Sequence, residues 1–145
     1  MAETLGSLCD KLTVVKLKQY HCDSEEKAAS LANQATQLAG EIDVFVADTA
    51  AGRISPERLA FAANKVYKQE GNDLCPVPEG SIGEAFAELA KVNCDLWHEQ
   101  EKVYAFELVP ADEKDKVVKR LALLNLRRNQ CIDAIDKTLV RQIKG

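Results

Sequence analysis

Hydrophobic residues recur at intervals of three and four along most of the chain, the spacing that places them on one face of an α-helix. The pattern predicts five helices: about Glu3 to His21, about Asp23 to Ala51, Ser55 to Gly71, Ser81 to about Glu107, and about Asp112 to Ile143. No segment keeps the strict alternation of apolar and polar residues that is typical of a strand. The sequence therefore predicts an all-α fold.

The predicted helices are joined by short turns, and short connections favour antiparallel neighbours. A length of 145 residues suits one domain. We therefore expect residues 1–145 to form a single-domain antiparallel bundle of about five helices, three of them long. Capping boxes predict the starts of two helices, Asp23 with Glu26 and Ser81 with Glu84. Gly40, inside the second helix, predicts a close crossing with another helix.

Polar side chains occupy positions of the helical pattern that should face the core. On the fourth helix, Asn93 falls on the apolar stripe, with Trp97 and Glu101 on its shoulder. On the fifth helix, Arg128 interrupts the stripe. The other polar candidates beside such stripes are Glu41, Asp48, Asn125, Asn129 and Asp136. Because a buried guanidinium needs a carboxylate partner, we expect these groups to meet in one polar seam between the second, fourth and fifth helices.

Two interpretations of this seam stay open. One is a structural network of ion pairs and amides that fixes how the helices pack. The other is a ligand pocket inside the bundle, where side chains from facing helices converge. In the pocket, Arg128 would grip an anionic group, and the carboxylates of Glu41, Asp48 and Asp136 would perform acid–base work or hold a divalent ion. Asn93, Asn125 and Asn129 would orient the ligand, with Trp97 as a wall and Glu101 beside it.

The composition narrows the classes of partner. The net charge is −4 and the isoelectric point about 5.3, whereas nucleic-acid binders usually carry a basic face. No apolar run approaches the length of a membrane span. We therefore expect neither a nucleic acid nor a membrane as partner. A homodimer through apolar residues such as Val14, Phe61 or Phe106 would fit either interpretation of the seam.

Five cysteines lie far apart, without the close pairs of zinc or dithiol redox motifs. We expect buried, reduced thiols and a cytoplasmic location. Asp95 and His98 have the spacing of half a di-iron site, but the second half is missing. Phosphate-loop, dinucleotide-binding and hydrolase-elbow motifs are also absent from the sequence. We therefore expect no cofactor, with a divalent metal left open.

Three segments together resemble a known family: "NCDLWHEQEKVY" (93–104), "LLNLRRNQCIDAID" (123–136) and, more weakly, "LAGEID" (38–43). They are similar to an uncharacterised bacterial family of helical proteins, domain of unknown function 4254. The resemblance covers mainly the last third of the chain. Its pattern falls on Asn93, Leu96, Trp97, Asn125, Arg128, Asn129, Ile132, Ile135 and Asp136. The resemblance implies that the same polar positions are important. It does not imply an activity, because the family is uncharacterised.

These observations lead to two hypotheses of different classes. The first is a small cytoplasmic enzyme or ligand-binding protein whose polar site takes an anionic small molecule, such as a phosphorylated one, with or without a divalent metal. The second is a non-catalytic interaction or scaffolding protein, whose buried polar network only fixes helix register. The sequence does not decide whether a reaction is catalysed.

Overall fold

The computed structural model describes residues 2–61, Val77 and residues 80–145, and this part of the chain is helical without any strand. Its four α-helices are α1 (Leu5–Tyr20), α2 (Glu25–Ala50), α3 (Ile82–Tyr104) and α4 (Lys114–Lys144). Short 3₁₀ turns lie at Pro56–Arg58 and Phe106–Leu108. The prediction of an all-α fold is confirmed.

The count of five helices is corrected to four within the described ranges. Where the third helix was expected, the structure shows the 3₁₀ turn Pro56–Arg58, which ends at Leu59. The Leu59 side chain is completely buried, so the turn inserts an anchor into the core, and residues 60 and 61 after it are not helical. Most of that expected helix, residues 62–71, lies outside the described residues.

The helix starts follow from side-chain caps. The hydroxyl of Ser81 accepts a hydrogen bond from the backbone N–H of Glu84, 3.2 Å away, and opens α3 as predicted. The cap of α2 is Ser24, which accepts from the backbone N–H of Lys27, and the prediction of Asp23 in this role was wrong by one residue. Each cap satisfies a donor that the first helical turn leaves without an intrahelical partner.

The most central helix is α1, which packs against the other three. The pair α3 and α4 makes the most extensive contact, and their ion pairs run in antiparallel order, Glu88 with Arg127 and Glu99 with Arg120. The long helix α2 packs mainly on α1, and Thr49 is its only buried residue. The expected five-helix bundle is therefore replaced, in the described part, by three helices around a shared core with α2 on the outer side of α1.

The hydrophobic core lies where the N-terminal half of α1 meets the C-terminal half of α4 and the first turns of α3. Its buried members are Leu5, Cys9, Leu59, Val77, Ala85, Leu89, Val92, Cys131, Ala134, Ile135 and Leu139. Ile42 and Phe45 of α2 pack against this cluster while staying partly exposed. None of the described helices combines the length and hydrophobicity needed to cross a membrane.

Helices α1 and α4 approach each other closely at Gly6. A Cβ atom added to Gly6 would lie 2.5 Å from the backbone oxygen of Ile132 and 2.9 Å from Asp136 Oδ1. At Gly40, by contrast, an added Cβ would meet nothing within 4 Å. The prediction of a close crossing at Gly40 is therefore wrong for the described fold, because α2 turns this position towards solvent.

Candidate functional site

A charged cluster joins three helices around Asp10 of α1. Nε and Nη2 of Arg128, on α4, donate to the two carboxylate oxygens of Asp10 at 2.8 and 2.5 Å. Nδ2 of Asn93, on α3, donates to Asp10 Oδ1 at 2.9 Å. The Asp10 side chain is only 6% exposed, whereas that of Arg128 is 36% exposed. The hydrogen bond to Asp10 raises the pKa of Arg128 above its ordinary value, so the guanidinium stays protonated.

Two predicted site residues, Arg128 and Asn93, are thus brought together, but by a carboxylate that the sequence analysis missed. Asp10 was overlooked because the apolar stripe of α1 runs through its neighbours. The sequence feature that could have pointed to Asp10 is Gly6, which lies four residues earlier on the same face of α1. A glycine inside a helix allows another helix to approach closely on that face. The expectation that a buried arginine must meet a carboxylate is confirmed, with Asp10 as that carboxylate.

The two predicted carboxylates of α2 do not reach this cluster. Glu41 is exposed and accepts a hydrogen bond from Gln37 of its own helix at 3.1 Å. Asp48 pairs with Arg53, just beyond the end of α2, at 2.9 Å. The single polar seam expected between the second, fourth and fifth helices is therefore corrected: α2 packs mainly on α1, and both of its carboxylates bond to partners close by in the chain.

Three further predicted residues lie on the surface. Asn125 is exposed and donates to the backbone oxygen of Leu121 on its own helix. Asn129 is exposed as well. Glu101 is exposed and lines a separate cavity of about 540 Å³ near the end of α3. These side chains do not share a site with Arg128, because none of them lines the cavity that Arg128 lines.

Trp97 forms part of an aromatic contact between α1 and α3. Its indole stacks on the imidazole of His21, with ring centroids 4.8 Å apart and planes 9° from parallel. His98 meets the edge of His21 at 6.3 Å. The indole Nε1 is buried without a hydrogen-bond partner in the described residues. The structure therefore places Trp97 beyond the C-terminal end of α1, as a wall next to the α1–α2 connection.

Asp136 is buried near the N-terminus of α1. Its Oδ1 accepts from the backbone N–H of Gly6 at 2.8 Å, and the hydroxyl of Thr4 also bonds to it. Burial raises the pKa of Asp136 from 3.8 to about 6, although the bonds from Gly6 and Thr4 oppose this effect. Asp136 lines neither the cavity beside Glu101 nor the cavities described below. Its hydrogen bond to Gly6 connects α4 to α1, so its role is structural.

Substituting asparagine for Asp136 should remove one source of pH dependence. The raised pKa means that the native state binds this proton more tightly than the unfolded state, so stability falls as pH rises from about 4 to 6. A difference of about two pKa units corresponds to about 3 kcal/mol. We expect the free energy of unfolding of Asp136→Asn, relative to wild type, to increase by up to that amount between pH 4 and 7 in urea titrations. A difference independent of pH would contradict this assignment.

A groove runs along the seam between α1 and α2, and we call it the α1–α2 groove. It consists of two cavities of about 370 and 360 Å³ that share the side chains of Lys18 and Gln34. One cavity reaches Asp10 and Arg128, and the other reaches His21 and Trp97. Further lining side chains are Lys11, Val14, Val15, Cys22, Asp23, Lys27, Ser30, Leu31, Gln37 and Leu38.

The charge along this groove is predominantly positive. Lys11, Lys18, Lys27 and Arg128 line it, against the carboxylates of Asp10 and Asp23. Lys11 pairs with Glu3 and Arg128 with Asp10. Lys18 and Lys27 form no ion pair within the described residues, and Arg128 Nη1 has no hydrogen-bond partner there either. The groove therefore offers unpaired positive charge beside apolar walls.

The four described cysteines are all free thiols, Cys9 and Cys131 buried and Cys22 and Cys94 half-buried. Burial raises the pKa of Cys9 and of Cys131 to about 11, so both stay protonated and behave as small apolar side chains. The prediction of a buried thiol for Cys75 falls outside the described residues. Within the described part of the chain, no group of three or more His, Cys, Asp or Glu side chains is arranged to hold a metal ion.

Comparisons with known proteins add no relative: no family model, no curated protein and no solved structure matches this chain. The resemblance to domain of unknown function 4254 stays a prediction, as do a bacterial origin and a cytoplasmic location. The chemistry of the α1–α2 groove is therefore the basis on which a function is proposed.

Proposed function

We propose that the protein binds an anionic small molecule in the α1–α2 groove. The observation that carries this proposal is the position of Arg128. Asp10 holds two of its three guanidinium nitrogens in place, while the side chain stays 36% exposed where it lines the groove. A guanidinium fixed in this way loses little side-chain entropy when an anion binds, and its remaining N–H groups suit a phosphate or carboxylate.

The rest of the groove supports the same class of ligand. Lys18 lies where the two cavities meet, so its ammonium group can contact a ligand in either one. Val14, Val15 and Leu38 supply apolar surface beside Arg128. Cavities of about 370 and 360 Å³ fall in the range of small-molecule sites. A phosphorylated metabolite with a short apolar body fits this combination.

No reaction is part of this proposal. The carboxylates expected to perform acid–base work, Glu41, Asp48 and Asp136, lie in three different surroundings, and none of them lines the groove. Asp10 lines it, but both its oxygens already accept charge-assisted hydrogen bonds from Arg128. A divalent ion accompanying a phosphorylated ligand stays a prediction, with the ligand's own oxygens as its main donors.

The second candidate is the scaffolding hypothesis, and one observation favours it. Both oxygens of Asp10 accept hydrogen bonds from Arg128, and Oδ1 also accepts from Asn93, as expected for a network that only fixes helix register. A purely structural pair predicts no ligand for the groove. The two candidates therefore differ in whether an anion stabilises the folded protein.

A thermal-shift screen separates them. We expect orthophosphate, pyrophosphate, sugar phosphates or dicarboxylates, tested with and without Mg²⁺, to include at least one compound that raises the Tm of wild type. At a hundredfold excess over its Kd, a ligand stabilises by about 2.7 kcal/mol, which shifts Tm by several degrees. Lys18→Met should lose most of this shift, because it removes the unpaired ammonium group shared by both cavities.

Lys16→Met is the matched control. Lys16 is an exposed lysine of the same helix, two residues away, and does not line the groove. It should keep the ligand-induced shift of wild type. A panel without any stabiliser, or a shift that Lys18→Met and Lys16→Met reduce equally, would reject the groove as an anion site and favour the scaffolding candidate.

A further inference from the structure

A second groove lies between α3 and α4, and it contains no residue of α1 or α2. Its volume is about 500 Å³, and we call it the α3–α4 groove. Five basic side chains and two carboxylates line it, around an apolar floor of Val92, Leu123 and Leu124. The charged lining residues are Lys91, Lys116, Lys119, Arg120, Arg127, Glu88 and Asp95.

The positive charge of this groove is not neutralised within the described residues. Arg127 pairs with Glu88, Arg120 with Glu99, and Lys91 more loosely with Asp95 at 3.7 Å. Lys116 and Lys119 form no ion pair in the described part of the chain. A basic groove with an apolar floor suits a partner that carries carboxylates beside small apolar side chains.

The surface of α2 has these properties. It carries five acidic residues and one basic residue along 26 positions. Glu41 and Asp43 are exposed, Val44 is 60% exposed, and Gly40 has open space beside it. The chain as a whole is acidic, with a net charge of −4, yet the α3–α4 groove is basic. Positive and negative charge are therefore separated between this groove and α2.

The α2 helix does not cover the α3–α4 groove of its own molecule. It packs mainly on α1, and none of its residues lines that groove. We propose that the α3–α4 groove binds α2 of a second copy of this chain. Because residues two apart project from opposite sides of a helix, Asp43 then faces Lys116 and Lys119 on the α4 wall, and Glu41 faces Lys91 on the α3 wall. Two different surfaces then meet, so the contact is head to tail, and successive copies form a ring or an open chain.

Sedimentation velocity tests this assembly through its dependence on salt. Because opposite charges on exposed surfaces are screened by added ions, we expect wild type to sediment faster than a monomer at about 20 mM NaCl and as a monomer at about 500 mM. Lys116→Glu/Lys119→Glu should be monomeric in both, and so should Glu41→Lys/Asp43→Lys. Circular dichroism checks that each variant is folded.

Mixing the two charge-reversed variants tests which surfaces meet. Each variant retains one native surface, so an equimolar mixture should recover the faster-sedimenting species at low salt. Lys16→Glu/Lys137→Glu, which makes the same change of charge at exposed positions outside the groove, should associate as wild type does.

Three results would overturn the proposal. One is a monomeric wild type at low salt. Another is unchanged association of Lys116→Glu/Lys119→Glu, which would exclude the α3–α4 groove. The third is a mixture of the two reversed variants that stays monomeric, which would exclude α2 as the occupant and point to an acidic partner other than this chain.

Discussion

Replacing Gly6 by alanine is expected to lower the free energy of unfolding by about 3 kcal/mol. The added Cβ would lie 2.5 Å from the backbone oxygen of Ile132 and 2.9 Å from Asp136 Oδ1. Backbone cannot rotate away as the end of a flexible side chain can, so α1 must move off α4. That movement also lengthens the hydrogen bond between the Gly6 N–H and Asp136. Urea denaturation followed by circular dichroism measures the loss.

Gly40→Ala is the control for this substitution. Both glycines lie inside helices, but a Cβ at Gly40 meets nothing within 4 Å. Alanine at an exposed helical position is favoured over glycine by up to about 1 kcal/mol, so Gly40→Ala should stabilise the protein. Equal effects of the two substitutions would show that α1 and α4 are not in close contact at Gly6.

Replacing Asp10 by alanine should also cost about 3 kcal/mol, because it leaves the Arg128 guanidinium and the Asn93 amide without their acceptor. The cost of breaking a buried pair is commonly 3–5 kcal/mol. The lower end applies here, since the Arg128 side chain is 36% exposed and water can solvate part of it. The midpoint of urea unfolding should fall accordingly.

The double variant Asp10→Ala/Arg128→Met distinguishes loss of a partner from loss of packing. Removing both charges takes away the desolvated guanidinium as well, so the double variant should be more stable than Asp10→Ala alone. Coupling between the two sites measures their interaction. Strictly additive effects of the single substitutions would mean that the contact between Asp10 and Arg128 contributes nothing to the fold.

Periodicity predicted the class of fold and the bounds of all four described helices to within about three residues at each end. What it assigned wrongly is the neighbour that the polar face of α4 meets. Helical phase identifies which side of a helix faces inward. It does not identify which helix lies opposite, because that depends on the order of packing, and here α1 takes the place that was expected for α2.

Arg128 and Asn93 show both the strength and the limit of the sequence argument. Their positions on apolar stripes required partners inside the molecule, and the structure supplies Asp10. Glu41 and Asp48 were expected to be those partners, but they are satisfied by Gln37 and Arg53 close by in the chain. Local partners of this kind cannot be distinguished from distant ones by periodicity alone.

Gly40 and Gly6 illustrate the same limit for close packing. A glycine inside a helix leaves room for a close neighbour, without showing whether one is present. In α1 that neighbour is the backbone of α4. In α2 the space beside Gly40 is open, and the proposed contact with the α3–α4 groove of a second copy would fill it.

The most direct test of an anion site in the α1–α2 groove is the fluorescence of Trp97, the only tryptophan of the chain, which lines one end of that groove. Titration with the stabilising anion from the thermal-shift screen should change its emission along a saturable curve. The curve should weaken at least tenfold in Lys18→Met and stay unchanged in Lys16→Met. Emission that does not respond to any anion of the panel, or responds alike in both variants, would contradict the account.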